Sequence, residues 1–480
     1  MMKAFGFSNF RKFEHFPSID LGGINIFVGK NNSGKSTAIK VLMLSLLNVG
    51  KAKSERLYES EKGMLPPFLH SFYFSFEVLE HLYLGNYNSA LNFNSTDNCI
   101  TISFVNGDTY FSYTFSADAD TNRTYMIKSE ISNEKAGIRY LYTFDDDRSE
   151  FGIPSSGTVN CIFSVPEKQL SRFRENLVEH IKKCEENGLY EEVEQYRKCL
   201  DVSETEFQLK YKFFNKHRNV CYGNATPYNE YIIGLLREKN EKIVYDFGNI
   251  PSIQYIETHN ASHKLLLDKE DKNNYLAQTI ESYVQHYGFQ SNVFIEKWIR
   301  EFKLGYSLKI EDISGEAYRI SIIEEDGSLV PLAYKGTGTI QFVILLMRLS
   351  FAFDELYNTY GGQANVFFIE EPEQNMHPSL QSKLSDIFYE VWKKARGRIQ
   401  FVIETHSEYL VRRTQVLVAQ EGYEDELSMK ENNPFKVYYF DGDNKKEPYY
   451  PMVFRTDGKF SNEFGTGFFD TASNLAFELF

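Results

Sequence analysis

The segment Gly29-Lys30-Asn31-Asn32-Ser33-Gly34-Lys35-Ser36-Thr37 limits what this chain can fold into more than any other. It fits G-x-x-x-x-G-K-[ST] and follows directly on the apolar run Ile24-Asn25-Ile26-Phe27-Val28. The run reads as a buried strand, and residues 36–47, rich in Leu, Ile, Val and Met, read as a helix. A loop between a strand C-terminus and a helix N-terminus presents unpaired backbone N–H groups and the positive end of the helix dipole to an anion. Gly29 and Gly34 let the backbone curl around phosphates without a Cβ clash, with Asn31, Asn32, Ser33 and Thr37 completing the cradle. Lys35 would reach the β and γ oxygens of a nucleotide, and the Ser36 hydroxyl would ligate Mg²⁺. A Gly/Ser-rich turn matching by chance leaves both flanks unexplained.

Hydrolysis needs further groups, and two downstream runs supply them. Asn365-Val366-Phe367-Phe368-Ile369 is a buried-strand pattern ending in Glu370-Glu371-Pro372-Glu373. Strand C-termini of a parallel sheet gather at the ligand edge, so Glu370 is placed to hold Mg²⁺ and Glu371 to orient and deprotonate a water. Gln400-Phe401-Val402-Ile403-Glu404 is a third such strand, ending in Thr405-His406-Ser407; His406 is expected to contact the γ-phosphate. Between them, Gly336-Thr337-Gly338-Thr339 opens the apolar helix 342–353 and makes a second anion-seeking terminus. One γ-phosphate does not need two such termini, which assigns Gly336, Thr337 and Gly338 to a partner's nucleotide.

The pattern predicts an α/β fold with a mixed, largely parallel sheet, an antiparallel β subdomain and an inserted helical hairpin. Strands are expected at 100–104, 110–115 and 138–144, with turns such as Asn106-Gly107-Asp108. Residues 166–219, rich in Glu, Lys, Arg, Gln and Leu, read as a helical hairpin broken at Glu186-Asn187-Gly188. Three parts result: an N-terminal lobe at 1–160, a helical insertion for dimerisation or docking at 161–305, and a C-terminal lobe at 306–480. The net charge of −14 means that any nucleic-acid contact is local. Five cysteines without C-x-x-C spacing look like reduced thiols of a cytoplasmic protein. No apolar leader opens the chain, and the stretch 343–353 is short and interrupted by Arg348, so neither export nor membrane insertion is expected.

In order along the chain, Phe7-Ser8-Asn9-Phe10-Arg11, the phosphate loop, Gly336–Gln341, Glu370-Glu371-Pro372-Glu373 with His377-Pro378, and Glu404-Thr405-His406-Ser407 resemble the ABC-type ATPase of the OLD family. That family is related to SMC heads, and the resemblance covers about residues 1–50 and 330–410. It implies ATP and Mg²⁺ as cofactors and an ATP-sandwich homodimer or higher homo-oligomer in which Gly336–Gly338 of one copy covers the phosphate held by Lys35 of the other. It also implies nucleotide contact by Arg11 and a dimer seam at 375–379. Such ATPases are similar to subunits of anti-phage systems such as Septu and PARIS, where a separate nuclease is the effector. Two features depart from the pattern. No Gln occurs before Gln169, so either another group, with His70 as the candidate, couples Mg²⁺ to the helical region or the coupling differs, and Glu370 stands where Asp is usual, which implies slow turnover.

Two other functions compete. A metal-dependent nuclease would use Asp441-Gly442-Asp443, yet the flanking runs 436–440 and 449–454 read as a hairpin, and about 75 residues after His406 are few for a catalytic domain. A DNA repair or recombination head would be expected to carry long coiled coils and a basic surface, neither of which is evident.

Overall fold

The computed structural model describes residues 1–54, 65, 69, 72–76, 84–118, 123–145, 155–164, 167–188, 193, 197, 206–216, 219–222, 227–256, 263–358, 364–421, 433–442, 444, 447–465 and 468–470. The chain starts with β1 (Met2–Phe10), β2 (Phe13–Asp20), β3 (Ile24–Gly29) and α1 (Lys35–Ser54). Two compact units form, one from Met1–Asp20 with Lys40–Ile250 and one from Leu21–Ile39 with Pro251–Phe480. This division differs from the three parts expected at 1–160, 161–305 and 306–480. The phosphate-loop segment clusters with the C-terminal half because its strand finds its parallel neighbours there.

The first unit is an antiparallel sheet, and period-two burial along Ile100–Asn106, Ile138–Phe144 and Ser156–Ser164 gives it one buried face. After β1 and β2 come β4 (Ile100–Asn106), β5 (Thr109–Ala117), β6 (Thr124–Asn133), β7 (Ile138–Phe144) and β8 (Ser156–Ser164). Helix α2 (Glu167–Glu186), β9 (Glu206–Lys216), β10 (Asn219–Tyr222) and α3 (Pro227–Gly248) follow. The nine strands run in the order β10-β9-β8-β7-β6-β5-β4-β1-β2. Ile100, Ile102 and Phe104 of β4 and Phe111, Tyr113 and Phe115 of β5 are buried. Helix α3 packs on this face: the Tyr140 hydroxyl donates to Asn240 Oδ1 at 2.8 Å, and the Phe111 and Phe247 rings lie 5.6 Å apart.

Of the expected helical hairpin, residues 167–186 are helix, and so are Val193 and Arg197. Residues 206–216 and 219–222 are strand, and most of 189–205 lies outside the described residues. Composition misled there, because Phe207, Leu209, Tyr211 and Phe213 alternate with polar residues at period two, and β9 pairs with β8.

The second unit is built on apolar runs buried from both sides, as parallel strands require. It contains β11 (Ser252–Ile256), β12 (Leu267–Asp268), α4 (Tyr275–Tyr287), α5 (Val293–Glu301), β13 (Ser307–Ile313), β14 (Ala317–Ile323) and β15 (Leu329–Pro331). Then come α6 (Thr337–Asn358), β16 (Asn365–Glu370), α7 (Lys383–Lys394), β17 (Ile399–Glu404), α8 (Glu408–Gln420), β18 (Phe435–Phe440) and β19 (Tyr449–Met452). The main sheet has the order β11-β16-β17-β3-β18-β19, parallel except for β19. Residues 436–440 and 449–452 form the expected hairpin, and β18 also joins the parallel sheet beside β3, with Phe440 opposite Gly29. Among the described residues, no helix is long and apolar enough to cross a membrane.

Candidate functional site

Register decides which side chains meet. Glu370 is paired with Glu404, Glu404 with Phe27, and Phe440 with Gly29, so four strands of the second unit end together at one edge. The phosphate loop leaves this edge through backbone conformations that its residue types permit. Gly29 has φ +144°, Asn32 +61° and Gly34 +104°. Glycine adopts such values without a Cβ penalty, and Asn tolerates the left-handed region better than most residues. The loop closes through Ser33 N–H to Lys30 O at 3.3 Å and Ala38 N–H to Gly34 O at 3.0 Å. Asn31 and Asn32 are exposed, Thr37 is half-buried, and Ser33 is fully buried. The Ser33 hydroxyl has no hydrogen-bond partner among the described residues, an orphan polar atom of the kind that a bound oxyanion satisfies.

Gly29 is also held by space. A Cβ there would stand 2.4 Å from the Phe440 carbonyl oxygen. Gly29→Ala is therefore expected to cost about 1–3 kcal/mol in backbone strain alone, before the clash is counted. Calorimetry should show a lowered Tm; an unchanged Tm would refute this account of the turn.

Lys35 folds into the loop that it serves. Its Nζ donates to Gly29 O and Lys30 O, each at 3.0 Å, and lies 3.7 Å from Glu404 Oε1. Burial lowers its pKa, and the carboxylates of Glu404, Glu371 and Glu373 oppose that shift. The Ser36 hydroxyl donates to Glu404 Oε1 at 3.0 Å. Ser36 and Glu370 were expected to hold Mg²⁺; β17, not β16, is the neighbour of β3, so the strand end beside Ser36 carries Glu404. Glu370 stands one strand further out.

Glu371 takes φ +46°, a left-handed conformation uncommon outside glycine, and its N–H donates to Glu404 O at 2.8 Å. Its carboxylate lies 3.7 Å from His406 Nε2 and accepts from Gln374 Nε2 at 3.4 Å. Burial, with Lys35 adding to it, lowers the His406 pKa against the pull of Glu371, so the imidazole is mostly neutral at pH 7. Glu373 fixes the His406 backbone by accepting its N–H at 2.7 Å, and burial raises the Glu373 carboxyl pKa. Glu371, Glu404 and His406 offer ligand atoms within 4.8 Å of one another, forming the one such group among the described residues. Within this group the Glu404 carboxylate and the Ser36 hydroxyl beside it are oxygen donors of the kind that suits a hard divalent cation such as Mg²⁺.

The structure thus brings together Lys35, Ser36, Glu371 and His406. It adds Glu404 and Glu373, both of which stood in quoted motifs without a role. An acid closing each of two consecutive apolar strands was the available signal. The remaining candidates make other contacts. Thr337 Oγ1 meets His263 Nε2 at 3.2 Å, Gly336 is exposed, and a Cβ on Gly338 would lie 2.3 Å from Asn375 O. Arg11 belongs to the first unit, where its guanidinium donates to Leu84 O at 3.5 Å. His70 and Asp443 lie outside the described residues. Asp441 follows β18 at the same edge as the loop, and a Cβ on Gly442 would sit 3.2 Å from Ser33 Cα.

A family model described as "AAA ATPase domain" matches residues 1–411. No curated protein matches the chain. Among solved structures, the chain is similar to an SMC head bound to the C-winged helix domain of ScpA, at 9% identity, covering 94% of this chain and 97% of that one, with a TM-score of 0.36. It is also similar to an SMC head domain with an extended coiled coil bound to the C-terminal domain of ScpA, derived from Pyrococcus furiosus, at 9% identity, 100% and 99% coverage and a TM-score of 0.34. A third is the SMC head domain from Thermotoga maritima, at 10% identity, 94% and 99% coverage and a TM-score of 0.32.

Proposed function

We propose that this chain, which belongs to the AAA ATPase domain family, binds ATP with Mg²⁺ and hydrolyses it slowly as an ABC-type, SMC-related ATPase. The observation that carries this reading is the meeting of Lys35, Ser36, Glu371, Glu404 and His406 at one strand edge. Loop N–H groups and the Ser33 hydroxyl donate to phosphate oxygens. Lys35 exchanges the Gly29 and Lys30 carbonyls for β and γ oxygens. Glu371 accepts a proton from the water that attacks the γ-phosphorus as the bond to the ADP oxygen breaks. Neutral His406 donates to the γ-phosphate and, through its contact with Glu371, aligns the base. Ser36 and Glu404, with Glu370 beside them, would hold Mg²⁺, which when bound neutralises phosphate charge.

In this reading two copies close on each nucleotide, Gly336–Gly338 of one copy covering the phosphate of the other, with Arg11 as a further nucleotide contact. The chain then acts as the sensor and regulatory subunit of a cytoplasmic anti-phage complex whose effector is a separate nuclease. The motif order along the chain supports this role, and the Asp441 loop, placed against Ser33, serves the nucleotide site.

The test is phosphate release from ATP by the purified chain, beside Glu404→Gln and Glu370→Gln. Mg²⁺-dependent release is expected, with supercoiled plasmid left uncut in the same buffer. Glu404→Gln should raise the Mg²⁺ concentration for half-maximal turnover about tenfold or more, the worth of one charged hydrogen bond, and Glu370→Gln should raise it less. ATP-independent plasmid cutting that is lost in Asp441→Ala would replace the regulatory reading with the nuclease one.

A further inference from the structure

In the second unit, a cleft of about 320 Å³ opens among β11, α4, α6 and β16. Its volume falls at the small end of the range for ligand pockets. Arg348 of α6 lines it with Gln254, Gln285, His286 and Asn365, and Phe367 adds an apolar wall. Among the described residues no carboxylate lines it, although the chain carries 66 acidic against 52 basic residues.

Arg348 is half-buried and held in place. Its Nε donates to Thr279 Oγ1 at 3.0 Å, and its guanidinium carbon lies 4.7 Å from the Tyr275 ring centroid. No acid pairs with it among the described residues. A guanidinium carries five N–H donors, and the bond to Thr279 uses one. A positioned cation with no counter-ion among the described residues, facing amides and an imidazole, matches the geometry of an oxyanion and its hydrogen-bonding neighbours.

We infer that this cleft is a second anion site, binding a small molecule that bears a phosphate or carboxylate group, with Arg348 holding the anion and Gln285, His286 and Asn365 contacting the remainder. Arg348 lies about three turns along the helix that begins at Thr337, and Asn365 begins the strand that ends at Glu370. The cleft therefore shares one helix with the Gly338 segment and one strand with the catalytic acids. The inference does not rest on the ATPase reading.

The experiment is titration calorimetry of Lys35→Ala protein, whose phosphate loop is crippled, with inorganic phosphate and separately with malate. At least one probe is expected to bind. Adding Arg348→Gln should weaken that binding about ten- to a hundredfold, and adding His286→Asn, on the exposed rim, should weaken it less. The stronger probe identifies the anion class. Binding of neither probe, or binding unmoved by both added substitutions, would overturn the assignment. The rim variant keeps the test decisive if Arg348→Gln does not fold.

Discussion

Lys35→Ala is expected to lose ATP binding. The ammonium is buried, bonded to two loop carbonyls and 3.7 Å from Glu404, so it is already in place for the phosphates. Truncating one partner of a buried, hydrogen-bonded charge pair costs about 2–5 kcal/mol, roughly 30- to 5,000-fold in Kd. Fluorescent-nucleotide titration measures this, and an unchanged Kd would remove the loop from the mechanism. Lys35 also neutralises Glu404, which is 5% exposed, so the single variant is expected to lose stability as well. The Lys35→Ala/Glu404→Gln protein removes both charges. It should recover Tm without recovering ATP, which separates a binding defect from a folding defect.

Glu371→Gln is expected to bind ATP and fail to turn it over. The amide keeps the size of the side chain and leaves the loop, Lys35 and Ser36 untouched, so Kd should hold. Losing a general base costs about 100- to 10,000-fold in rate. Single-turnover phosphate release should fall by that factor. ATP should then trap the closed pair of chains, visible by sedimentation as a dimer that wild-type protein forms only transiently. Unchanged turnover would end the assignment of Glu371 as base. A monomer at saturating ATP and high protein concentration would end the two-copy model while leaving the base assignment standing.

Much of the site was legible because its chemistry is local. The loop needs residues that accept φ above zero, and Gly29, Asn32 and Gly34 occupy those positions. Each strand that ends at the site is a short apolar run with a polar end, which marks both its burial and the edge it faces. The fold was less legible where two patterns overlapped. Residues 206–216 have a helix-favouring composition and a strand-like period, and β8 offered a pairing edge that resolved the conflict. Strand β11 was not expected at all: Ser252-Ile253-Gln254-Tyr255-Ile256 is short, and its pairing with β16 supplies its reason to be extended.

The sequence by itself determined the phosphate loop, the acids and the histidine, since each follows from residue type and spacing within a dozen positions. Which acid stands beside Ser36 was decided by tertiary structure. Parallel strands of similar length and apolarity are interchangeable by local pattern, and their order is set when all of them are buried in one sheet. That order places Glu404 against a serine 368 residues earlier and leaves Glu370 one strand away. The same packing carries β18 to β3, so that Asp441, read locally as a hairpin turn, borders the nucleotide loop.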